Sequence, residues 1–226
     1  MSTVPRVVGR TEICYNSEME ENLETIKNWL GTGSINVFGL PMSGKDTVGV
    51  QLAEKLGGKF LSSGLIVRAM EQATNQNLTH EGKLMPSSIF YDWVLPYFEK
   101  PELADYPLVL SSIGRWAGEE DQVMSVAAAS GHPIKAVVML QLSEPAAIAR
   151  WEAAKYLNDR GLRADDADPE VFKTRINEYR EKTLPVLRHY QELGLLVPAK
   201  AEASREQVFQ NVVEALASFT HRASKF

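Results

Sequence analysis

The chain has 226 residues, of which 44% are hydrophobic and 23% are charged, and its formal net charge is −5. That length suits one substantial α/β domain with small insertions, and the negative charge argues against a general nucleic-acid or membrane-surface binder. The single cysteine, Cys14, excludes an intrachain disulfide framework and a cysteine-rich zinc site. We expect no membrane span, because no apolar run has the length of a transmembrane helix, and no signal peptide, because the first residues lack an apolar core. A cytoplasmic location is therefore expected.

Residues 1–34 are expected to form an arm and one extra helix outside the main domain. Ser17, Glu18, Met19 and Glu20 resemble a capping box, in which the first and last side chains satisfy backbone N–H groups at a helix start. The pattern predicts a helix that runs to about Leu30 and ends at the glycines that follow.

A strand, a glycine-rich turn and a helix come next, and the turn is typical of a phosphate-binding loop. Residues 35–38 are predicted to form a buried strand, and residues 48–56 carry apolar residues at helical spacing. The turn reads G-x-x-x-x-G-K-x-T, with Asp46 where the common pattern has Ser or Thr. Such a turn offers backbone N–H groups and the positive end of a helix dipole, while its lysine reaches the β- and γ-phosphates. The predicted ATP-binding residues here are Gly39, Pro41, Met42, Ser43, Gly44, Lys45, Asp46 and Thr47.

Predicted strands and helices alternate through the rest of the chain. The further strands are 59–62, 107–111, 134–142 and 195–198, and the helices are 63–74, 86–99, 117–130, 144–156, 169–193 and 204–219. Pro185 is expected to kink or break the long helix, since proline lacks a backbone N–H. The alternation predicts an α/β fold with a parallel sheet of about five strands flanked by helices, and residues 220–226 are predicted to be a tail.

Several motifs, in order, resemble those of the adenylate kinase family of nucleoside monophosphate kinases. The turn G-L-P-M-S-G-K-D-T is similar to the family's G-x-P-G-S-G-K-G-T, and residues 61–68 resemble I-S-T-G-D-M-L-R. Residues 82–86 are similar to G-x-L-V-P, and residues 175–190 to R-L-x-x-Y-x-x-x-T-x-P-x-x-x-Y-Y. The resemblance implies a P-loop kinase domain over 35–219, with an acceptor-binding insertion at about 63–100 and a short lid at about 151–166.

By this resemblance the chain would transfer the γ-phosphate of ATP reversibly to a nucleoside monophosphate, with AMP as the leading acceptor and Mg²⁺ accompanying ATP. It would act as a monomer. Arg150 would lie on the donor base, and the cationic groups around the moving phosphate would be Lys45, Arg115, Arg163 and Arg175. Guanidinium groups suit this role because they bind phosphate bidentately and stay charged. The implied acceptor-binding residues are Ser63, Gly64, Arg68, Met85, Gly114, Arg115 and Glu119.

Four departures from the family's pattern matter for the function. Ser111 replaces an Asp that helps to hold water around Mg²⁺, Leu65 replaces another Asp, and Ala154 replaces a lid arginine for which Lys155 or Arg160 could substitute. Glu119 replaces the Gln that reads the acceptor's adenine. We hypothesise that Asp46 takes over part of the Mg²⁺ role.

These departures leave other functions open. A carboxylate only accepts hydrogen bonds, so Glu119 is compatible with adenine, cytosine or guanine. One alternative is a kinase of the same fold for CMP, UMP or a deoxynucleotide. Another is a nucleotide-binding protein with weak or no turnover, which Ser111 and Ala154 would explain. The motifs at residues 63–68 and 82–86 disfavour a kinase for other small metabolites.

Overall fold

The computed structural model describes residues 10–76, 78, 79, 81–154 and 168–223, with side chains from Ser17 onward. The strands are β1 (Ser34–Gly39), β2 (Lys59–Ser62), β3 (Leu108–Ser111), β4 (Ile134–Gln141) and β5 (Leu196–Lys200). The helices are α1 (Arg10–Leu30), α2 (Lys45–Leu56), α3 (Ser63–Thr74), α4 (Ser87–Trp93), α5 (Glu119–Ala129), α6 (Glu144–Ala154), α7 (Pro169–Glu178), α8 (Leu184–Glu192) and α9 (Arg205–Ala223). No helix in this part of the chain has both the length and the apolar character needed to span a bilayer.

The five strands form one parallel sheet in the order β2-β3-β1-β4-β5, which confirms the predicted α/β fold. Every residue of β1 and β3 is buried, as is usual for central strands covered by helices. Ser111, the last residue of β3, pairs with Val37 of β1 and with Ser62 of β2. The carboxyl ends of these strands therefore share one edge of the sheet, where open α/β sheets bind their ligands.

The extra helix α1 packs along α9 and belongs to the folded core. Ile26 and Leu30 are fully buried, and the rings of Trp29 and Phe219 meet edge to face with centroids 5.9 Å apart. Lys135 Nζ, at the start of β4, donates a hydrogen bond to the Trp29 carbonyl at 2.7 Å. The helix starts at Arg10, before the predicted start at Ser17, and α9 continues to Ala223, past the predicted end at Phe219.

Two predicted helices differ from the structure because of proline. The helix predicted over 86–99 is α4 followed by a 3-10 turn over Leu95–Glu99, since Pro96 supplies no N–H to continue the α-helical ladder. The helix predicted over 169–193 is α7, a π-helical turn over Tyr179–Thr183, and α8 with Pro185 in its first turn. The proline ring would meet the carbonyl four residues earlier in a regular helix, and the wider π turn relieves that clash. The kink or break predicted at Pro185 takes the form of this π turn, and the helical run continues through it from Pro169 to Glu192.

Candidate active site

The turn from β1 to α2, residues 39–47, has the geometry of a phosphate-binding loop, and we call it the phosphate cradle. Gly39 ends β1, and a Cβ at this position would lie 2.5 Å from Ser43 Oγ and 3.0 Å from Leu140 Cβ. Gly44 has φ +85°, a conformation that favours glycine, and α2 begins at the next residue, Lys45. Ser43 is buried, and its Oγ has no hydrogen-bond partner among the described residues. The local sequence thus builds a turn whose backbone N–H groups precede a helix, the arrangement that binds phosphate.

A hollow of about 300 Å³ lies beside the cradle, and we call it the P-loop hollow. Arg150 of α6 lines it, as do residues of α9 and the cradle itself. The guanidinium of Arg150 donates to the carbonyls of Ala201 (2.5 Å), Ala203 (3.2 Å) and Met42 (3.4 Å). Arg150 therefore fastens the segment between β5 and α9 to the cradle, on the wall of the hollow where the resemblance expects the donor base.

Ser111, one of the departures from the family's pattern, is in direct contact with Asp46, the residue after the cradle lysine. Asp46 lies in the first turn of α2, and its Oδ1 accepts a hydrogen bond from Ser111 Oγ at 2.5 Å. Asp46 is half-buried, and Ser111 is buried at the end of β3. A carboxylate therefore stands at the edge of the sheet although β3 itself ends in a neutral side chain.

A second hollow, of about 120 Å³, is lined by three arginines, and we call it the arginine hollow. Its arginines are Arg68 of α3, Arg115 of the segment between β3 and α5, and Arg175 of α7. The other predicted site residues on its wall are Ser63, Gly64, Met85 and Glu119. Four separate segments thus converge on one hollow.

Ser63 and Gly114 shape this region through the backbone. Ser63 Oγ donates to the Ser112 carbonyl at 2.8 Å, which fixes the start of α3 against the segment that follows β3. Gly114 is buried with φ +78°, and a Cβ there would lie 3.0 Å from Val123 Cγ2. This positive φ precedes Arg115 and helps to turn the chain towards the hollow.

Glu119 is almost fully buried, and both of its carboxylate oxygens are engaged. Oε2 accepts hydrogen bonds from the backbone N–H groups of Arg115 (2.7 Å) and Trp116 (3.0 Å). Oε1 accepts from Ser87 Oγ at 2.7 Å. Gly118, with φ +93°, precedes it, so α5 begins at Glu119 and not at the predicted Ala117. Glu119 therefore shapes the segment that carries Arg115 and also presents an acceptor-only group to the hollow.

Arg115 is held as a poorly solvated cation. Its Nε atom is buried and has no hydrogen-bond partner among the described residues. Burial lowers the pKa of Arg115 to about 10, and the positive charge of Arg175 acts in the same direction. The guanidinium is still charged at neutral pH, so the hollow favours an anion between its arginines. Arg163 and most of the predicted lid, together with Lys155 and Arg160, lie outside the described residues.

A network that the sequence did not predict closes one side of the arginine hollow. The buried Glu178 carboxylate accepts from the Leu84 N–H at 2.9 Å and from Lys182 Nζ at 2.6 Å. Lys182 Nζ also lies 3.9 Å from the ring centroid of Trp116, whose Nε1 donates to the Met85 carbonyl at 3.0 Å. The only local signal was the Glu–Lys spacing of four residues, which is common on helices and identifies no site by itself.

Curated proteins resemble the chain over most of its length, although no protein-family model matches it. It is 29% identical over 187 residues to "Adenylate kinase" of Methylobacterium nodulans, covering 79% of this chain and 93% of the relative. It is 30% identical over 186 residues to "Adenylate kinase" of Caulobacter sp. (strain K31), covering 80% and 96%. The protein of the same name from Mycobacterium tuberculosis is also 30% identical over 186 residues, covering 80% and 97%. With this identity over nearly whole relatives, the chain belongs to the adenylate kinase family.

Proposed function

We propose that this protein transfers the γ-phosphate of ATP reversibly to AMP, giving two molecules of ADP. The observation that carries the proposal is the pairing of a phosphate cradle with a hollow lined by three arginines, at the carboxyl edge of one parallel sheet. Each hollow has room for part of a nucleotide and offers groups that bind phosphate. The named relatives support the same reaction.

The residues of the two hollows suit direct transfer between bound nucleotides. In this proposal Lys45 contacts the β- and γ-phosphates of ATP, and Arg68 and Arg115 hold the phosphate of AMP. An oxygen of that phosphate attacks the γ-phosphorus while the bond to the β–γ bridging oxygen breaks, so no protein nucleophile is required. Catalysis then consists mainly of positioning and charge stabilisation, to which Arg175 and Arg163 contribute.

Mg²⁺ is proposed to arrive with ATP. In the part of the chain that the structure describes, no group of three or more His, Cys, Asp or Glu side chains is arranged to hold a metal. Mg²⁺ is commonly bound through one or two carboxylates together with substrate phosphates. The Asp46 carboxylate and the Thr47 hydroxyl, both in the cradle, supply oxygen donors of the right kind and therefore fit. When bound, the ion would neutralise charge on the phosphates.

The proposal extends to the behaviour of the domain. The acceptor-binding insertion at about 63–100 and the lid at about 151–166 would close over the nucleotides and exclude water, because water would otherwise hydrolyse ATP. We propose a monomer, since residues of this one chain line both hollows. The single cysteine supports a cytoplasmic location.

A second candidate acceptor is a nucleoside monophosphate with another base. Glu119 supports it, because its carboxylate presents only an acceptor where adenine carries both an N6 donor and an N1 acceptor. The N1–H and N2 amino groups of guanine, or the N4 amino group of cytosine, would donate to the same oxygen. The reaction and the phosphate-binding residues would be unchanged.

Product formation with a panel of acceptors tests the proposal. ATP and Mg²⁺ are mixed with AMP, CMP, UMP, GMP or dTMP, and the products are resolved by chromatography. ADP formed fastest from AMP, and lost when Lys45 is changed to Met, is the expected result. A preference for another base would reassign the acceptor. ATP binding without any diphosphate product would identify a nucleotide-binding relative that has lost turnover.

A further inference from the structure

We propose that Asp46, held in place by Ser111, is the carboxylate that orients Mg²⁺ on the phosphates of ATP. The inference rests on the proposed function, in which the ion enters with ATP. It assigns to the first turn of α2 a role that P-loop enzymes often give to an Asp elsewhere, the Walker-B residue. Ser111 is then a positioning residue, because it would act through the carboxylate.

The strand ends next to the cradle carry no acid of their own. β3 and β4, the strands that pair with β1, end in Ser111 and Gln141. Neither side chain is charged, whereas Mg²⁺ favours at least one carboxylate beside the phosphates. The carboxylate that contacts the end of β3 comes from α2, one residue after Lys45.

The described residues that line the two hollows offer one acid, Glu119, and it is poorly suited to the metal. Its oxygens accept from two backbone N–H groups and from Ser87 Oγ, and it lies in the arginine hollow and not in the cradle. Asp46 is itself part of the cradle and half-buried. Its position therefore makes it the stronger candidate.

The contact with Ser111 gives the carboxylate a defined orientation. The Ser111 hydroxyl donates to Asp46 Oδ1 at 2.5 Å, across 65 residues of sequence. A hydroxyl at this position can donate to the carboxylate, whereas a second ionised carboxylate would repel it. The pair Ser111 and Asp46 thus supplies one oriented negative charge at the edge of the sheet.

The test separates metal affinity from ATP binding. We would measure the dissociation constant of Mn²⁺ from the enzyme–ATP complex by electron paramagnetic resonance, and that of ATP by calorimetry with Mg²⁺ and with EDTA. Asp46→Asn keeps the size of the side chain and an oxygen for Ser111. It is expected to weaken Mn²⁺ binding by about 10–100-fold, the usual cost of losing a group that orients a metal site. ATP binding in EDTA should not weaken, because no attraction to phosphate is lost.

Three further variants complete the design. Ser111→Ala should weaken Mn²⁺ binding less than Asp46→Asn, because the charge stays and only its orientation is lost. Asp46→Asn combined with Ser111→Asp should recover affinity, since it restores a carboxylate at the same edge. Glu54→Gln, an exposed position on the same helix, is the control for charge and should leave Mn²⁺ affinity unchanged.

The outcomes distinguish this inference from the proposed function. Wild-type Mn²⁺ affinity in Asp46→Asn, with ATP bound and phosphate transferred, would overturn the role of Asp46 alone. Failure of the wild-type protein to bind ATP or to transfer phosphate would overturn the proposed function. Equal losses of Mn²⁺ affinity in Asp46→Asn and Glu54→Gln would mean that only the overall charge of the protein matters. That result would also reject the inference.

Discussion

The phosphate cradle and the arginine hollow are built in different ways. The cradle is one continuous stretch, residues 39–47, and its shape comes from the end of a buried strand, two glycines and a helix start. The arginine hollow joins segments that are far apart in sequence. Ser87 and Glu119, 32 residues apart, are linked by one hydrogen bond, and Leu84 and Glu178, 94 residues apart, by another.

The cradle is shaped mainly by its backbone, whereas the arginine hollow is shaped mainly by individual side chains. Backbone N–H groups bind phosphate whatever side chains they carry, so the cradle accommodates a substitution such as Asp46 without losing its shape. The arginine hollow depends on the hydrogen-bonding character of each wall residue, so we expect one exchanged side chain to alter the base of the acceptor proposed to bind there. We therefore expect glycine substitutions in the cradle to act through its geometry, and substitutions in the arginine hollow to act through charge and specificity. Lys45 and Asp46 are the cradle residues whose side-chain charge matters.

The largest effect is expected from Arg115→Met in the arginine hollow. Loss of this cation should lower the rate of transfer by about 10²–10³-fold, as for removal of a preorganised group that stabilises transition-state charge. The folded state should become more stable, because burial and Arg175 disfavour the buried charge. In a chain of this size, an increase of about 1 kcal/mol in the free energy of unfolding raises Tm by about 2–4 °C, which calorimetry would measure. Arg188→Met, on an exposed part of α8, is the control. A Tm that falls in both variants would show that the buried charge of Arg115 does not destabilise the folded state.

Gly39→Ala tests whether the cradle depends on close backbone approach. The added methyl group would meet Ser43 Oγ at 2.5 Å and Leu140 Cβ at 3.0 Å, so the turn would have to shift. An overpacking cost of about 1–3 kcal/mol corresponds to about 5–150-fold weaker ATP binding, which calorimetry would measure. Gly131→Ala adds the same methyl group after the end of α5, where no atom lies within 4 Å but φ is +83°. Its strain therefore lies in the backbone outside the cradle, and it should leave ATP binding unchanged. Unaltered ATP affinity in Gly39→Ala would show that the cradle tolerates the methyl group.

Glu119→Gln tests whether the arginine hollow reads the base through one atom. The amide oxygen can accept from the N–H groups of Arg115 and Trp116, and the NH₂ group then donates to Ser87 Oγ and into the hollow. A donor in place of an acceptor favours adenine N1 over the N1–H of guanine. The ratio of kcat/KM for AMP to that for GMP should rise by about tenfold, or about 1.4 kcal/mol. The neighbouring Glu120→Gln, which is also buried but does not line the hollow, should leave this ratio unchanged.

The smallest effect is expected from Trp116→Phe. The change removes the hydrogen bond from Nε1 to the Met85 carbonyl and keeps an aromatic ring beside Lys182. The lost hydrogen bond contributes about 1 kcal/mol to holding the wall of the arginine hollow. Its removal should therefore raise KM for AMP by about fivefold and leave KM for ATP unchanged, which initial-rate kinetics would show. Trp29→Phe, on α1, is the matched control. If Trp116→Phe changed KM for ATP as much as KM for AMP, the arginine hollow and the cradle would not be independent.

The sequence by itself determined the features that depend on short-range pattern. Alternating strand and helix signals predicted the five-stranded parallel sheet, which the structure confirms. The glycine spacing and lysine placed the cradle, because turn geometry and a helix start are set by neighbouring residues. Pro185 predicted an irregularity in the long helix, which is the π turn before α8, since a missing N–H acts within one helical turn.

Tertiary structure decided which side chains meet. Ser111 contacts Asp46 because the parallel register places the end of β3 beside the cradle, and no local period encodes that pairing. The two engaged oxygens of Glu119 and the bonds between Glu178 and the segment at Leu84 likewise depend on packing between distant segments. Local sequence fixes backbone conformation over a few residues, whereas hydrogen-bond partners across the hollow are fixed only when the helices and the sheet pack together.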